Sequence, residues 1–218
     1  MSTKLTFAAA LLGATFLAGT AMAQDAGSFV PKSAGTFMVR ARIIDVLPEN
    51  NSSSVSLIKG RVSATNSFTP EVDLSYFLTD NIAAELIAAT TTHHVSAKGT
   101  ALGKVDVGSV AVLPPTLTLQ YHFLHAERFS PYVGAGINYT FFYNTRPGGA
   151  PVTRFSMTNG FGEAVQVGFD YAISGRWVLN ADVKQIFLST KASINSGFIR
   201  AKTNLDPLVV GLGVGYKF

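Results

Sequence analysis

The chain has 218 residues, of which 47% are hydrophobic and only 14% charged, with 17 basic against 13 acidic side chains and no cysteine. That composition argues against a disordered tail, and the lack of cysteine excludes a disulfide framework, a zinc-thiolate site and a thiol nucleophile. The charge content lies well under the roughly 25% usual for soluble domains and points to a surface bathed by lipid; a net charge of +4 without any Lys/Arg cluster gives no reason to expect nucleic acid as a partner.

Met1 to Lys4 form a short positive start, Leu5 to Thr20 are uncharged, and Ala21-Met22-Ala23 has the small-x-small form of a cleavage site. Residues 1–23 therefore read as a secretory signal peptide and 24–218 as the mature domain. An N-terminal membrane anchor would need about 20 apolar residues. This core is shorter and is interrupted by Gly13 and Gly19.

Beyond the signal, apolar residues recur with period two and nowhere with a sustained helical period. Phe37, Val39, Ala41 and Ile43 alternate with Arg40 and Arg42; Val72, Leu74, Tyr76 and Leu78 alternate with Glu71, Asp73 and Ser75. The segment from Ile82 continues the series, followed by Leu113, Leu117, Leu119, Tyr121 and Phe123 against Thr116, Thr118, Gln120 and His122. Val133 to Tyr143 and Val165 to Tyr171 behave alike, and the segment from Trp177 does so with a loss of phase near Gln185, where a bulge is expected. In the last segment Leu208, Val210, Leu212, Val214, Tyr216 and Phe218 share one face, while the other is mostly glycine. A greasy outer face over a narrow inner one suits a small membrane barrel; a soluble lipocalin would show the reverse.

Strands are expected over roughly 35–47, 68–78, 82–96, 109–124, 130–143, 161–173, 176–194 and 203–218. Each meets the 9 to 11 residues a tilted membrane strand requires. The fold class is thus all-β, an eight-stranded antiparallel transmembrane barrel of up-and-down topology. Connections alternate between long (48–67, 97–108, 144–160, 195–202) and short (79–81, 125–129, 174–175). Short turns belong to the periplasmic side of such barrels and long loops to the extracellular side, which puts both mature termini in the periplasm of a cell with an outer membrane. The aromatic residues Tyr76, Tyr121, Phe123, Tyr132, Tyr171, Trp177, Tyr216 and Phe218 fall near the same end, although Tyr132 faces inward by parity.

The run Pro131-Tyr132-Val133-Gly134-Ala135-Gly136-Ile137-Asn138-Tyr139-Thr140 resembles the OmpW family of small outer-membrane barrels. Leu113 to Leu117, Thr79 to Ile82 with Glu85-Leu86, and the closing Gly-Tyr-Lys-Phe support the likeness over almost the whole mature chain. The resemblance implies a narrow barrel with an unusually apolar interior that admits small hydrophobic molecules. The loop from Arg146 to Gly160 lacks the tryptophan that some relatives place at the mouth.

Parity nominates Arg40, Arg42, Asp73, Glu85, Asp170, Asp182 and Lys184 as lumen residues. Near-equal numbers of opposite sign are what mutual pairing demands, so these charges are expected to neutralise one another and plug the lower barrel; the alternative is a polar constriction that sets selectivity. Pro114-Pro115 cannot donate ladder hydrogen bonds, which offers either a lateral opening in the wall or simply a bulge or strand end. His93, His94 and Ser96 invite a lipase reading, but adjacent strand residues point to opposite faces. With no nucleophile elbow, phosphate loop or dinucleotide fingerprint, enzymatic activity, cofactors and metals are not expected. Two functions remain: a passive conduit for small hydrophobic solutes, with lateral exit into lipid as one form, and a sealed structural or adhesion barrel whose loops bind other surfaces. Outer-membrane lipid and lipopolysaccharide would surround either. Tyr216 and Phe218 resemble the terminal signal read by the outer-membrane assembly machinery.

Overall fold

A computed structural model describes residues 28–49, 53–55, 61–101 and 103–218; the expected signal peptide lies outside them. Fourteen strands follow in chain order: β1 (Phe37–Leu47), β2 (Ser53–Val55), β3 (Arg61–Ala64), β4 (Ser67–Phe77), β5 (Ile82–Ala89), β6 (Thr91–Thr100), β7 (Gly103–Leu113), β8 (Thr116–His122), β9 (Phe129–Pro147), β10 (Phe155–Met157), β11 (Gly160–Ser174), β12 (Trp177–Ile194), β13 (Ile199–Asn204) and β14 (Leu208–Lys217). Eight of these close a ring, β1-β4-β5-β8-β9-β11-β12-β14, with β14 pairing back onto β1 and every pairing antiparallel. Closure leaves no edge strand in the ring, which hydrocarbon demands because it offers no hydrogen bonds.

Side-chain alternation decides which way each strand faces. On β1, Met38, Arg40, Arg42 and Ile44 are buried inside while Ile43 is 61% exposed, and on β14 Leu212 is 66% exposed. The exposed apolar belt also contains Leu86, Leu119, Ile137 and Val167. Tyr76, Tyr121, Phe129, Tyr171, Trp177 and Phe218 stand exposed at the end that carries the termini, and Phe68, Phe141 and Phe161 toward the other. Tyr132 is fully buried and belongs to the lumen, not to an aromatic ring at the interface.

Several expected boundaries change. The segments 82–96 and 109–124 each run as two strands, broken at Thr90 and at Pro114-Pro115, and 203–218 breaks between Asn204 and Leu208. Much of what reads as long loop is strand: β6 and β7 form a hairpin through 97–108, and β2, β3, β10 and β13 add further pairs. These carry the wall beyond the apolar belt, since the outward residues of β6 are Thr92, His94, Ser96 and Lys98. No bulge occurs at Gln185, which pairs in register with Val165 and Leu208. Its amide instead donates to the carbonyls of Asp206 and Pro207 at 2.7 and 3.4 Å. The register shift lies at Ala172/Ser174, beside the tight turn to β12.

Candidate functional site

Register places opposite charges face to face inside the barrel. Arg40 lies directly across from Asp73 and Arg42 from Glu71 on the β1–β4 ladder. Arg40 Nη1 reaches Asp73 at 2.8 Å and Glu85 at 3.1 Å, and its Nη2 reaches Asp170 at 3.0 Å. Arg42 Nη2 reaches Glu71 at 2.8 Å, Asp73 at 3.0 Å and Glu85 at 3.4 Å, with Nη1 3.7 Å from Asp182. Lys184 Nζ lies 3.4 Å from Asp182. All seven residues nominated by parity are therefore buried together in one cluster.

Three members escaped nomination. Glu71 stands on the inward face beside Asp73. Lys217 is inward on β14 and donates to the carbonyl of Val30. Lys32, from the segment before β1, pairs with Asp170 at 2.8 Å. No strand periodicity marks Lys32, because it precedes the first strand, whereas the alternation of β4 and β14 does mark Glu71 and Lys217. With them, the buried charges among the described residues are five cations (Lys32, Arg40, Arg42, Lys184, Lys217) and five anions (Glu71, Asp73, Glu85, Asp170, Asp182). Such balance is what a low-dielectric interior requires, since an unmatched charge there costs several kcal/mol.

Neutral groups fill the space around the ions. Tyr132 Oη donates to Asp182 at 3.0 Å, Gln166 Nε2 donates to Glu85 at 2.8 Å, and Thr118 Oγ1 donates to Glu85 at 3.1 Å. The rings of His122 and Tyr132 meet at 4.9 Å with a 40° tilt, and an apolar cluster of Met38, Phe77, Ala83, Ala172 and Val178, with Phe29 against it, lies at the terminus end. The segment from Ser28 to Thr36 crosses this end, bonded to Gly175, His125 and Phe77.

On the other side of the charge cluster the lumen turns apolar. A cavity of about 80 Å³ is lined by Ile44, Ile87, Val110, Phe142, Ile186 and Val209 among others. A second cavity of about 260 Å³, bounded by Val105, Val152, Ile194, Phe198 and Ile199, shares Val95 with the first. His93 also lines the lower cavity, and burial pushes its imidazole below the ordinary value, so it is neutral at pH 7. Its Nδ1 faces the Thr65 carbonyl at 2.6 Å and must carry the hydrogen; Nε2 then accepts from Thr91 Oγ1 at 2.9 Å. His94 points the opposite way, to the exposed side.

The wall beside this cavity has a seam. The β5–β8 ladder ends at Ile87/Thr116 and the β6–β7 ladder starts at Thr91/Val112, leaving residues 88–90 opposite 113–115 without ladder pairing. Pro115 accepts from Tyr139 N at 3.1 Å on the β9 side, and neither proline has an N–H to donate to a neighbouring strand. The Pro114 carbonyl is held at 3.0 Å by Thr116 Oγ1 and at 3.1 Å by Asn138 Nδ2. Ala89 and Pro114 line the cavity, and the small Ala88 side chain faces outward across the seam.

The OmpW family model matches residues 33–218. The chain belongs to the OmpW family. It is 42% identical over 220 residues to an uncharacterized outer-membrane protein, y4mB, of Sinorhizobium fredii, covering 96% of this chain and 95% of that one. It is 36% identical to outer membrane protein W of Escherichia coli, with 99% of each chain covered. The crystal structure of the outer membrane protein OprG from Pseudomonas aeruginosa superposes with a TM-score of 0.81 at 29% identity, over 88% of this chain and 99% of that one. This protein is accordingly an outer-membrane barrel. In strand pairing that fits, the fold is the closed eight-stranded ring described above.

Proposed function

We propose that the protein is a passive conduit for small hydrophobic molecules, which enter between the loops, occupy the apolar cavities and leave sideways into the bilayer through the seam at Pro114-Pro115. The observation that carries this reading is the coincidence of three features at one height: an apolar cavity, a floor of ten balanced charges of which nine stand in ion pairs, and a wall segment without a backbone ladder. Water-soluble cargo gains nothing from such a route, because it meets an apolar lining above and fixed ion pairs below. An apolar solute loses nothing by stepping from a hydrocarbon-like cavity into hydrocarbon. A relative that is 28% identical over 163 residues is named a dibenzothiophene metabolism operon protein, of Pseudomonas aeruginosa; dibenzothiophene is an uncharged aromatic compound, of the solute class proposed here.

The same reading sets the loop end toward the exterior and both termini toward the periplasm, with Tyr216 and Phe218 available to the assembly machinery. Lipopolysaccharide and lipid then surround the belt.

Replacing both prolines by valine restores backbone N–H donors to this wall segment, and one added ladder bond worth about 1 kcal/mol makes opening roughly fivefold rarer. Transfer of an apolar fluorescent dye into vesicles carrying the Pro114→Val/Pro115→Val protein should fall by about that factor, with the heat-modifiable folded band on gels unchanged. Unaltered transfer by a normally folded variant would remove the seam from the account. A barrel that moved no dye at all would favour the sealed, surface-binding reading.

A further inference from the structure

The lower cavity is lined by six polar residues, and four of them are already spent. Thr91 donates to His93, whose other nitrogen is taken by Thr65. Thr116 donates to the Pro114 carbonyl, and Thr140 donates to Asn138 Oδ1 at 2.6 Å. The remaining two are Lys184 and Glu71, both lining the cavity and both buried. Lys184 Nζ makes its ion pair with Asp182 at 3.4 Å but has no hydrogen-bond acceptor among the described residues. Glu71 Oε1 sits 2.8 Å from Arg42 Nη2, yet accepts no aligned hydrogen bond. Arg42 connects them, since it pairs with Glu71 through one nitrogen and approaches Asp182 with the other. The floor of an otherwise apolar cavity thus holds one ammonium and one carboxylate oxygen that are ion-paired but lack a hydrogen-bond partner.

We propose that Lys184 and Glu71 form a head-group subsite that selects uncharged amphipathic molecules carrying a hydroxyl, such as short primary alcohols, over both pure hydrocarbons and carboxylates. This rests on the conduit reading above and sharpens its solute class. A hydroxyl can accept from Lys184 and can donate to Glu71, whereas an ether or ketone oxygen only accepts and an alkane does neither. A carboxylate is disfavoured because the buried charges already balance at five against five, and a sixth anion would stand unmatched. At roughly 10–15 Å³ for each water-sized volume, the cavity of about 80 Å³ holds about six heavy atoms. The match is a chain about as long as hexanol, with its oxygen on the floor and its tail against Ile186 and Phe142.

The test is a titration of the protein in lipid nanodiscs with 1-hexanol, hexyl methyl ether, hexane and hexanoate, read from the methyl resonance of Ile186. Headspace measurement fixes the thermodynamic activity of the three volatile ligands, so partition into lipid drops out of the comparison. Hexanol should bind about tenfold more tightly than hexane at equal activity, as expected of a hydrogen bond to a charged donor; the ether should fall between them and hexanoate below hexanol. Lys184→Met should bring hexanol to within about twofold of hexane while leaving hexane unchanged. Should that variant fail to assemble, the order of the four ligands on the unaltered protein still decides. Hexane binding as tightly as hexanol, or hexanoate more tightly, overturns the subsite alone. Hexane leaving Ile186 unmoved overturns the apolar-conduit reading beneath it.

Discussion

Arg40→Met is expected to destabilise the folded barrel by about 3–5 kcal/mol, the range for removing one partner from a buried ion pair. Arg40 is fully buried and touches three carboxylates, of Asp73, Glu85 and Asp170, as well as Ser75 Oγ at 2.8 Å. Methionine fills much of the same volume, so the loss reports on charge and hydrogen bonding more than on a cavity. The remaining cations hold part of the cluster: Lys32 stays on Asp170 and Arg42 on Asp73. What cannot be repaired is the balance, which becomes four cations against five anions. Adding Asp170→Asn should therefore return at least about 1 kcal/mol, since it removes the surplus anion. Urea unfolding in lipid vesicles measures both; a single variant within about 1 kcal/mol of the unaltered protein would mean that the cluster is not an interlocked unit.

Gly213→Ala should cost about 1–3 kcal/mol or more, by overpacking rather than by loss of charge. Gly213 lies directly across from Arg42 on the β14–β1 ladder, as Gly215 does from Arg40. A Cβ at Gly213 would stand 2.1 Å from the Ala41 carbonyl oxygen and 2.7 Å from both Arg42 Cα and Cγ. Two of those atoms are backbone and cannot move without opening the ladder. The glycines of β14 are thus the space into which the arginine stems of β1 pack, and the narrow inner face noted in the sequence has a specific occupant. Gly160→Ala is the control. Its Cβ would meet the flexible Leu188 Cδ1 and the Ser189 carbonyl oxygen at 3.3 Å, and its effect should stay below about 1 kcal/mol in the same unfolding experiment.

Most of the barrel was legible because hydrocarbon and a crowded lumen impose opposite demands on successive residues. Parity alone turns Arg40, Arg42, Asp73, Glu85, Asp170, Asp182 and Lys184 inward, and the fold gathers them into one cluster. Parity also carried Tyr132 inward, against its use as an interfacial aromatic. What period two does not carry is where a strand leaves the membrane. Beyond Ala88, the outward residues turn polar while the inward ones, such as Val95 and Ala97, remain apolar, so strand and loop look alike to a reading that counts grease. Gly99 and Gly103, both with positive φ, mark the hairpin tip between β6 and β7 and not a long irregular loop. The phase at Gln185 misled because a polar residue on the outer face reads as a slip; here its amide serves the backbone at Asp206 and Pro207 instead. Lys32 was invisible for another reason. It belongs to a segment whose structure is set by the barrel end that it covers, and no local pattern foretells a contact with Asp170, 138 positions away in sequence.

The account turns on where an apolar solute goes, and one measurement addresses that directly. Purified protein in planar bilayers and in vesicles can be followed at once for ion conductance and for delivery of an apolar dye, with one quencher confined to the lipid phase and another to the vesicle interior. The account predicts negligible steady conductance, together with protein-dependent arrival of dye in the lipid before any reaches the interior. A stable ohmic conductance with dye appearing first in the enclosed water would contradict it, because it would mean that the charged floor is open and the wall is closed.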